Sequence, residues 1–382
     1  GFVFQPNSSN IILQDIVLTN VLRGVAMTNA LNIVLDGVEV RGAIQRAFDL
    51  QGNTRNVELR RCVAYGGAIG VYLNQATNIS IRHGLFWQNS ANAVYLDSQV
   101  GGLLENSILA STQINAALYS IATTNGFQSD YNNIHAGAFT RVGVNRATGG
   151  VADNLAAWQA MTGWDLHGVP GDPQLADPGQ YDYHLKTEQT QGRRLPNGQQ
   201  TSDALSSPLL DAGNPASDVS AEPAPNGGRV NIGRFGGTWE ASIAPATPWL
   251  KTLSFGDAGK VQDGAVTLRW LAGSAFSNQT VKVEVSVDGG NTWATNVASG
   301  IPATTGMVVW TVSGLPDTPA GAWRVVCLEN TNWFAQSTNF FAIRNSSLNL
   351  FVATADTNEA IYTTGPGLAN NWRATSNAPL NS

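Results

Sequence analysis

Short apolar triplets recur between residues 10 and 109 with a nearly constant spacing. An asparagine followed by three strand-forming residues begins at Asn10, Asn32, Asn56 and Asn78, so that successive copies start 22, 24 and 22 residues apart. A weaker copy starts at Gly101. A fixed period of this length is typical of a solenoid, in which each turn buries its apolar face against the next turn.

Each repeat divides into three short strands, which in the second copy cover residues 33–35, 38–40 and 48–50. Because strand side chains alternate between faces, the outer members of each triplet point inward and the middle member points outward. The pattern therefore predicts an all-β fold, a parallel β-helix with three strands per turn, whose equivalent residues stack about 4.8 Å apart. The recurring asparagine is then a corner residue that bonds to its equivalents in neighbouring rungs.

A different pattern begins near residue 249, where longer segments alternate apolar and polar residues between Gly, Pro and Asn turns. These segments are residues 266–270, 281–287, 307–312, 323–327 and 339–343. Such spacing is typical of a β-sandwich. We therefore predict a sandwich over 249–345, joined through a Pro/Ala linker at 243–248. Residues 152–161 have the pattern of a short helix, with Asp153 as the expected N-cap.

Several phrases that follow the repeats resemble those of a known group of proteins. They begin at Ser129 (Ser-Asp-Tyr-Asn-Asn-Ile), Trp158 (Trp-Gln-Ala-Met-Thr-Gly-Trp-Asp), Gly171 (Gly-Asp-Pro-Gln-Leu), Tyr181 (Tyr-Asp-Tyr-His-Leu), Ser207 (Ser-Pro-Leu-Leu-Asp-Ala-Gly), Asn226 (Asn-Gly-Gly-Arg-Val-Asn-Ile-Gly) and Phe235 (Phe-Gly-Gly-Thr). Their order resembles the C-terminal cap of secreted bacterial right-handed parallel β-helix proteins, within the pectate-lyase-like superfold.

The resemblance implies a capped right-handed β-helix over 1–242 and a bacterial-type extracellular or cell-surface location. It does not select a reaction, because this superfold hosts lyases, hydrolases, epimerases and non-enzymes. Residues 249–345 resemble a fibronectin-III or immunoglobulin-like module. Residues 346–382 resemble the start of a further β-helix module, so we expect the chain to be one section of a longer tandem array.

Composition and charge exclude several classes of partner. The net charge is −6 and 13% of residues are charged, so there is no basic footprint for nucleic acid or an anionic membrane. The apolar runs are too short for membrane insertion. Cys62 and Cys327 lie in different predicted domains and are interpreted as buried small hydrophobes. The Cys and His residues lack metal-ligand spacing, and the four scattered histidines give no Ser-His-Asp arrangement.

One corner of the predicted coil gathers candidate catalytic residues. Stacking places four of them in two adjacent columns, namely Arg60, Arg61, Arg82 and His83, with Asp36 and Glu58 nearby. By resemblance, β-helix lyases commonly use Arg or Lys to remove a proton beside a uronate carboxylate. The alternative is a solvated corner in which the two carboxylates offset the arginines. Asp36, Glu39 and Glu58 are too sparse for the acidic cluster that a lyase calcium site needs.

Two outward-facing columns are candidate glycan contacts. One contains Arg41, Tyr65 and Trp87, and the other contains Asp49, Tyr72 and Tyr95. Aromatic rings in a row suit stacking on the C–H faces of sugars. The alternative is an aromatic ladder that stiffens the solenoid, or packing against another part of the protein.

The remaining polar motifs favour structural interpretations. Ser286-Val-Asp-Gly-Gly-Asn-Thr-Trp293 matches the Asp-box of sialidase propellers, but a single copy predicts a hairpin. The cap-loop aspartates, which are Asp172, Asp177, Asp182 and Asp211, are expected in Asx-turns and N–H caps. Calcium bound by these aspartates is the alternative, and no other metal or cofactor is expected.

Two functions remain open at the level of the sequence. The first is a non-catalytic extracellular structural or adhesive repeat module of a larger surface or filament protein, with a polysaccharide as a candidate ligand. In this interpretation, residues 346–382 mediate self-association by pairing with a β-helix edge. The second is a polysaccharide lyase or glycoside hydrolase acting on the β-helix face.

Overall fold

A computed structural model describes residues 1–122, 126–245, 249–256, 260–262, 264–273 and 276–344, and three two-residue strands beyond them. The N-terminal part is a coil of six turns, each contributing one strand to each of three parallel sheets. Its strands are β1 (Phe2–Val3), β2 (Ser9–Gln14), β3 (Val17–Thr19), β4 (Arg23–Thr28), β5 (Leu31–Asp36), β6 (Glu39–Arg41), β7 (Arg46–Gln51), β8 (Arg55–Arg60), β9 (Val63–Tyr65), β10 (Ile69–Leu73), β11 (Thr77–Arg82), β12 (Leu85–Trp87), β13 (Asn92–Leu96), β14 (Gly102–Glu105), β15 (Ile108–Ser111), β16 (Ala117–Ile121), β17 (Phe127–Asp130) and β18 (Asn133–Ala136). The predicted parallel β-helix is confirmed.

The apolar triplets set the register of the coil. In the sheet that contains β2, β5 and β8, Ile33 pairs with Val57 and Leu35 with Leu59. All four side chains are buried in the core, whereas the intervening Val34 is half-buried. β5, β8 and β11 (Thr77–Arg82) thus each bury two apolar side chains against equivalents one rung away, as the alternation predicts.

The recurring asparagines form a ladder along one corner. The amide of Asn32 donates to the Oδ1 of Asn10 at 2.9 Å, Asn56 donates to Asn32 at 3.0 Å, and Asn78 donates to Asn56 at 2.8 Å. All four have φ between 53° and 56°, the left-handed region that Asn tolerates better than most residues. The predicted stack of corner asparagines is therefore confirmed, and it stops where Gly101 occupies the next equivalent position.

The third sheet, which contains β3, β6, β9 and β12, is covered by another layer. The first residues of β6, β9 and β12 point away from the coil, yet Glu39 is only 3% exposed and Val63 and Leu85 are fully buried. Val63 and Leu85 share an apolar cluster with cap residues that include Tyr183 and Leu209. The cap therefore turns one face of the solenoid into a second core.

The coil closes with a hairpin, a helix and a last strand. These are β19 (Arg141–Asn145), β20 (Gly150–Ala152), the helix α1 (Leu155–Thr162) and β21 (Val169–Pro170). The N-cap of α1 is Asn154, whose Oδ1 accepts from the N–H of Ala157 at 2.9 Å. The expected start at 152 with Asp153 as cap is wrong, because Ala152 pairs with Gly143 in β20. Trp158 of α1 stacks on Tyr119 and closes the core.

The cap contains little regular structure. Its strands are β22 (Leu175–Asp177), β23 (Asp182–Leu185), β24 (Arg193–Arg194) and β25 (Gln200–Thr201), with a 3-10 turn at Pro178–Gln180. The strands form two antiparallel pairs. Turns and side-chain bonds hold the rest of this region against the third sheet.

The C-terminal region forms antiparallel sheets compatible with a sandwich-like domain. Its strands are β26 (Leu250–Thr252), β27 (Lys260–Gln262), β28 (Gly264–Ala272), β29 (Thr280–Ser286), β30 (Thr295–Pro302), β31 (Met307–Val312), β32 (Thr318–Cys327), β33 (Phe334–Gln336) and β34 (Phe341–Arg344), with a 3-10 turn at Ala303–Thr305. Trp270, Trp310 and Trp323 pack in its core. Pairing is antiparallel except between β27 and β34, which run parallel.

The sandwich-like region contacts the cap directly. Leu253 and Leu271 belong to the same apolar cluster as Leu209 of the cap. A Cβ on Gly256 would lie 2.5 Å from the Cγ of Pro170, so only glycine allows this approach. The two regions are therefore joined by packed surfaces as well as by the chain.

The predicted β-helix start at 346–382 lies mostly outside the described residues. Within it, β35 (Leu350–Phe351), β36 (Tyr362–Thr363) and β37 (Arg373–Ala374) pair with one another in an antiparallel sheet. Across the described parts of the chain, none of the helices has the length and apolar character needed to cross a membrane.

Candidate functional site

The predicted arginine corner lines a cleft of about 620 Å³. One wall is the solenoid corner, and the other consists of cap residues 214–218 and 236–238. The structure brings together all four sequence-predicted residues, which are Arg60, Arg61, Arg82 and His83. A cleft of this volume is in the range of small-ligand sites.

A repeated left-handed turn positions the inner column of the corner. Its members are Asp15, Gly37, Arg61, His83, Asn106 and Tyr131, with φ angles of 50°, 67°, 55°, 54°, 52° and 55°. This conformation is uncommon for Arg, His and Tyr, and each such residue costs on the order of 1 kcal/mol. The stacked rungs hold these side chains at one corner despite that cost.

Each arginine of the cleft has a carboxylate partner. Arg61 pairs with Asp36 at 2.7 Å, Arg82 with Glu105 at 2.5 Å, and Arg60 with Glu58 at 3.4 Å. The side chains of Arg60 and Arg82 are 46% and 41% exposed, so their free N–H groups face the cleft and solvent. The corner can therefore donate hydrogen bonds to a carboxylate or hydroxyl group, but its positive charge is largely balanced.

The cap loop is bonded to the same corner. The amide of Asn214 donates to Glu105 at 3.0 Å, while its backbone N–H donates to Asn106 at 2.7 Å. Asn106 also donates to the Oγ of Ser217 at 3.0 Å. Glu105 thus links Arg82 to the cap loop, so part of the charged corner serves to dock this loop.

Glu105, Asn106 and Asn214 are missing from the sequence-predicted set. Asn106 could have been found, because it follows His83 by one repeat in the same column. Asn214 carries no such signal, since it lies more than 100 residues from its partners.

His83 is held under two glycines of the cap. Its Nδ1 lies 3.3 Å from the carbonyl oxygen of Gly233, so this nitrogen carries the proton and Nε2 is an acceptor. A Cβ on Gly236 would lie 2.6 Å from the Nδ1. Burial lowers the pKa of His83 to about 4, and the imidazole is neutral near pH 7. At that pH the imidazole can accept a hydrogen bond, but it is not an imidazolium and therefore cannot act as a general acid.

The glycan-contact candidates of the first column face the cap. The guanidinium of Arg41 lies 3.5 Å from the ring centroid of Tyr181, and Tyr65 contacts Tyr181 edge-on at 5.4 Å. Tyr65 and Trp87 are half-buried against the apolar cluster of the cap. The structure thus places this column against the cap, where its side chains are half-buried.

The second column forms a ladder with closed ring faces. Tyr72 and Tyr95 stack with centroids 5.2 Å apart. Arg46 lies 3.5 Å from the ring centroid of Tyr72, and Arg146 lies 4.1 Å from that of Tyr95. Asp49 is buried and pairs with Arg46 at 2.9 Å. Guanidinium groups occupy ring faces that a sugar would need.

The other polar motifs have local partners. In the Asp-box, the Oγ of Ser286 donates to Asp288 at 2.6 Å, and Asp288 accepts from the N–H of Thr292 at 2.9 Å. Asp172 and Asp177 accept backbone N–H groups two and three residues ahead. In the described part of the chain, no group of three or more His, Cys, Asp or Glu side chains could hold a metal ion. Cys62 and Cys327 are buried free thiols.

Comparison with known proteins gives no relative. No family model, curated protein or solved structure matches the chain.

Proposed function

We propose that the chain is a non-catalytic structural or adhesive module of an extracellular surface or filament protein. The main support is that the side chains in the outward columns of the solenoid have their partners within the protein. The stack of Arg46, Tyr72, Tyr95 and Arg146 is the clearest case. Side chains that engage one another from rung to rung stiffen a shaft, whereas a catalytic face presents reactive groups to a substrate.

The charged cleft supports the same proposal. Each arginine is paired with a carboxylate, and His83 is neutral near pH 7 because burial lowers its pKa. A general base is most effective when its pKa lies near the working pH, so an imidazole whose pKa is lowered by burial to about 4 is a weak base. The corner therefore suits docking of the cap loop better than proton transfer.

The test combines an activity assay with imaging. The full chain is incubated with neutral and uronate polysaccharides, and new reducing ends and unsaturated products are measured. The proposal expects neither product, together with regular rods or filaments in electron micrographs. Depolymerisation of any polysaccharide overturns the non-catalytic assignment. Monodisperse particles at all concentrations overturn the filament-forming role and the proposed self-association through residues 346–382.

A polysaccharide lyase or hydrolase is the second candidate function. It is favoured by the cleft that gathers Arg60, Arg61, Arg82 and His83 next to the cap loop. If the activity assay is positive, Arg60→Ala and Arg82→Ala should abolish activity without unfolding the protein. Activity that survives both substitutions would place the reaction elsewhere.

A further inference from the structure

A second cleft lies between the solenoid and the sandwich-like region. Its volume is about 900 Å³, within the range of small-ligand sites. Corner residues 114–115 and 137–141 form one side, Asp172 another, and Gly256 with Asn339 a third. The side chain of Asn339 donates to the carbonyl oxygen of Gly256, and Gly256 packs closely on Pro170. The walls of the cleft are therefore fixed relative to one another.

Phe139 lines this cleft and belongs to an anchored loop. The side chain is 72% exposed, and the neighbouring Ile114 is 70% exposed. The carbonyl oxygen of Phe139 accepts from the N–H of Asn115 at 3.0 Å. The next residue, Thr140, is buried and its Oγ1 donates to the carbonyl oxygen of Gln113 at 2.8 Å. The backbone is thus held in place while the aromatic side chain stays in solvent, at the cost of an exposed apolar surface.

The polar groups around Phe139 are nearly balanced in charge. Arg141 and Asp153 are 3.8 Å apart and both are exposed, and Asp172 adds a second carboxylate. Burial lowers the pKa of His135, so its imidazole is neutral and offers one donor and one acceptor. One cation beside two carboxylates disfavours a polyanionic ligand. Amide, imidazole and carboxylate groups beside an aromatic face suit hydroxyl groups and the C–H face of a sugar.

We propose that this cleft is a binding site for a neutral saccharide chain, in which Phe139 stacks on a sugar ring. Asn115, His135, Asp153 and Asp172 then bond to hydroxyl groups. This proposal assigns a ligand class to the adhesive module, and it rests on that proposed function. It is separate from the arginine cleft and from the two outward columns of the solenoid.

Affinity electrophoresis of the full chain tests the proposal. The gels contain starch, xylan, mixed-linkage glucan or galactomannan as neutral probes, and polygalacturonate or alginate as acidic probes. Retardation is expected in at least one neutral gel. Phe139→Ala should weaken that binding by about tenfold or more, and Phe139→Tyr should retain it. The control is Phe334→Ala, which removes another exposed phenylalanine from β33, outside the cleft residues, and should bind as the unaltered protein does.

Three results would overturn the proposal. They are a lack of retardation in every neutral gel, equal binding by Phe139→Ala and the unaltered protein, and retardation in acidic gels alone. The last result would direct attention to the arginine cleft instead. Cleared zones in the gels would contradict the non-catalytic function while leaving the binding site intact, so the two proposals can fail separately.

Discussion

The ammonium of Lys251 donates a 2.5 Å hydrogen bond to the carbonyl oxygen of Leu210, joining β26 to the cap. The same ammonium lies 4.3 Å from the ring centroid of Trp249. Burial lowers the pKa of Lys251 and raises that of nearby Asp211, while the attraction between the two groups opposes both shifts. Lys251 belongs to the sandwich-like region whereas Leu210 and Asp211 belong to the cap, so these contacts stabilise the protein only while the two regions stay together.

Lys251→Met should loosen this junction. We expect a loss of about 2–3 kcal/mol, because a charged hydrogen bond disappears and the Asp211 carboxylate loses one of its two neighbouring cations, the other being Arg229. Calorimetry should then show the sandwich-like region unfolding in a separate, earlier transition. The control is Lys186→Met, which replaces a half-buried lysine of the cap. Its unfolding transitions should match those of the unaltered protein. Unchanged calorimetry of Lys251→Met would show that the apolar contacts alone hold the regions together.

The asparagine ladder should contribute measurably to the stability of the coil. Asn56 both donates to Asn32 and accepts from Asn78, at φ 55°. Asn56→Ala should lower the free energy of unfolding by about 1–2 kcal/mol, since two bonds are lost and alanine disfavours this backbone conformation. Asn56→Gly removes only the bonds and should cost less. Urea unfolding measures both, and a larger loss for glycine than for alanine would contradict this explanation.

Two arginine substitutions should differ strongly in their effect on the free energy of unfolding, although both break an ion pair. Asp49 is 1% exposed and pairs with Arg46, which also stacks on Tyr72. Arg46→Met should cost about 1–3 kcal/mol, because the buried carboxylate loses one charged partner and keeps only Arg23 and Gln51. Arg60→Met breaks a pair with Glu58 that is largely exposed, and should stay within about 0.5 kcal/mol. Urea unfolding of both variants checks the contrast, which equal losses would refute.

Glu222 should make the cap less stable as the pH rises. Its Oε1 accepts from the N–H groups of Asn231 and Gly237, and burial raises its pKa from 4.5 to about 7. The folded state therefore holds the proton more tightly than the unfolded state. This contribution is complete below pH 4.5 and is lost as the pH rises through about 7, by up to about 3 kcal/mol.

Glu222→Gln tests this pH dependence, because the amide keeps an accepting oxygen and cannot ionise. The variant should match the unaltered protein near pH 4.5 and be more stable at pH 8. Thermal unfolding across this range gives the difference between the two proteins, in which other titrating groups cancel. A constant difference at every pH would rule out ionisation of Glu222 as the cause.

The coil was predictable from the sequence because its information is local and repeated. Every copy of the triplet with its asparagine predicts the same strand following the same corner. Even the hydrogen bond between Asn56 and Asn32 therefore follows from the spacing. The second layer left a weaker signal. Val63 and Leu85 are apolar at outward positions, which indicates that something covers them but not what does.

The site was harder to predict than the fold. Arg60, Arg61, Arg82 and His83 share a corner because they share a phase within the repeat. Their partners in the cap approach through turns whose direction depends on packing over the whole third sheet. Phe139 lies beyond the regular copies of the triplet, so its exposure follows only from the three-dimensional structure.

The cap fixes the number of rungs in this coil. A simple solenoid can gain or lose a whole turn without disturbing its neighbours, since each turn contacts only adjacent ones. Here Tyr183 bonds to Glu39 in the second rung, while Ser217 bonds to Asn106 near the fifth. Inserting one turn between those rungs would separate the two anchor points by about another 4.8 Å. Lineages that carry this cap should therefore change sequence within the shaft more readily than they change its length.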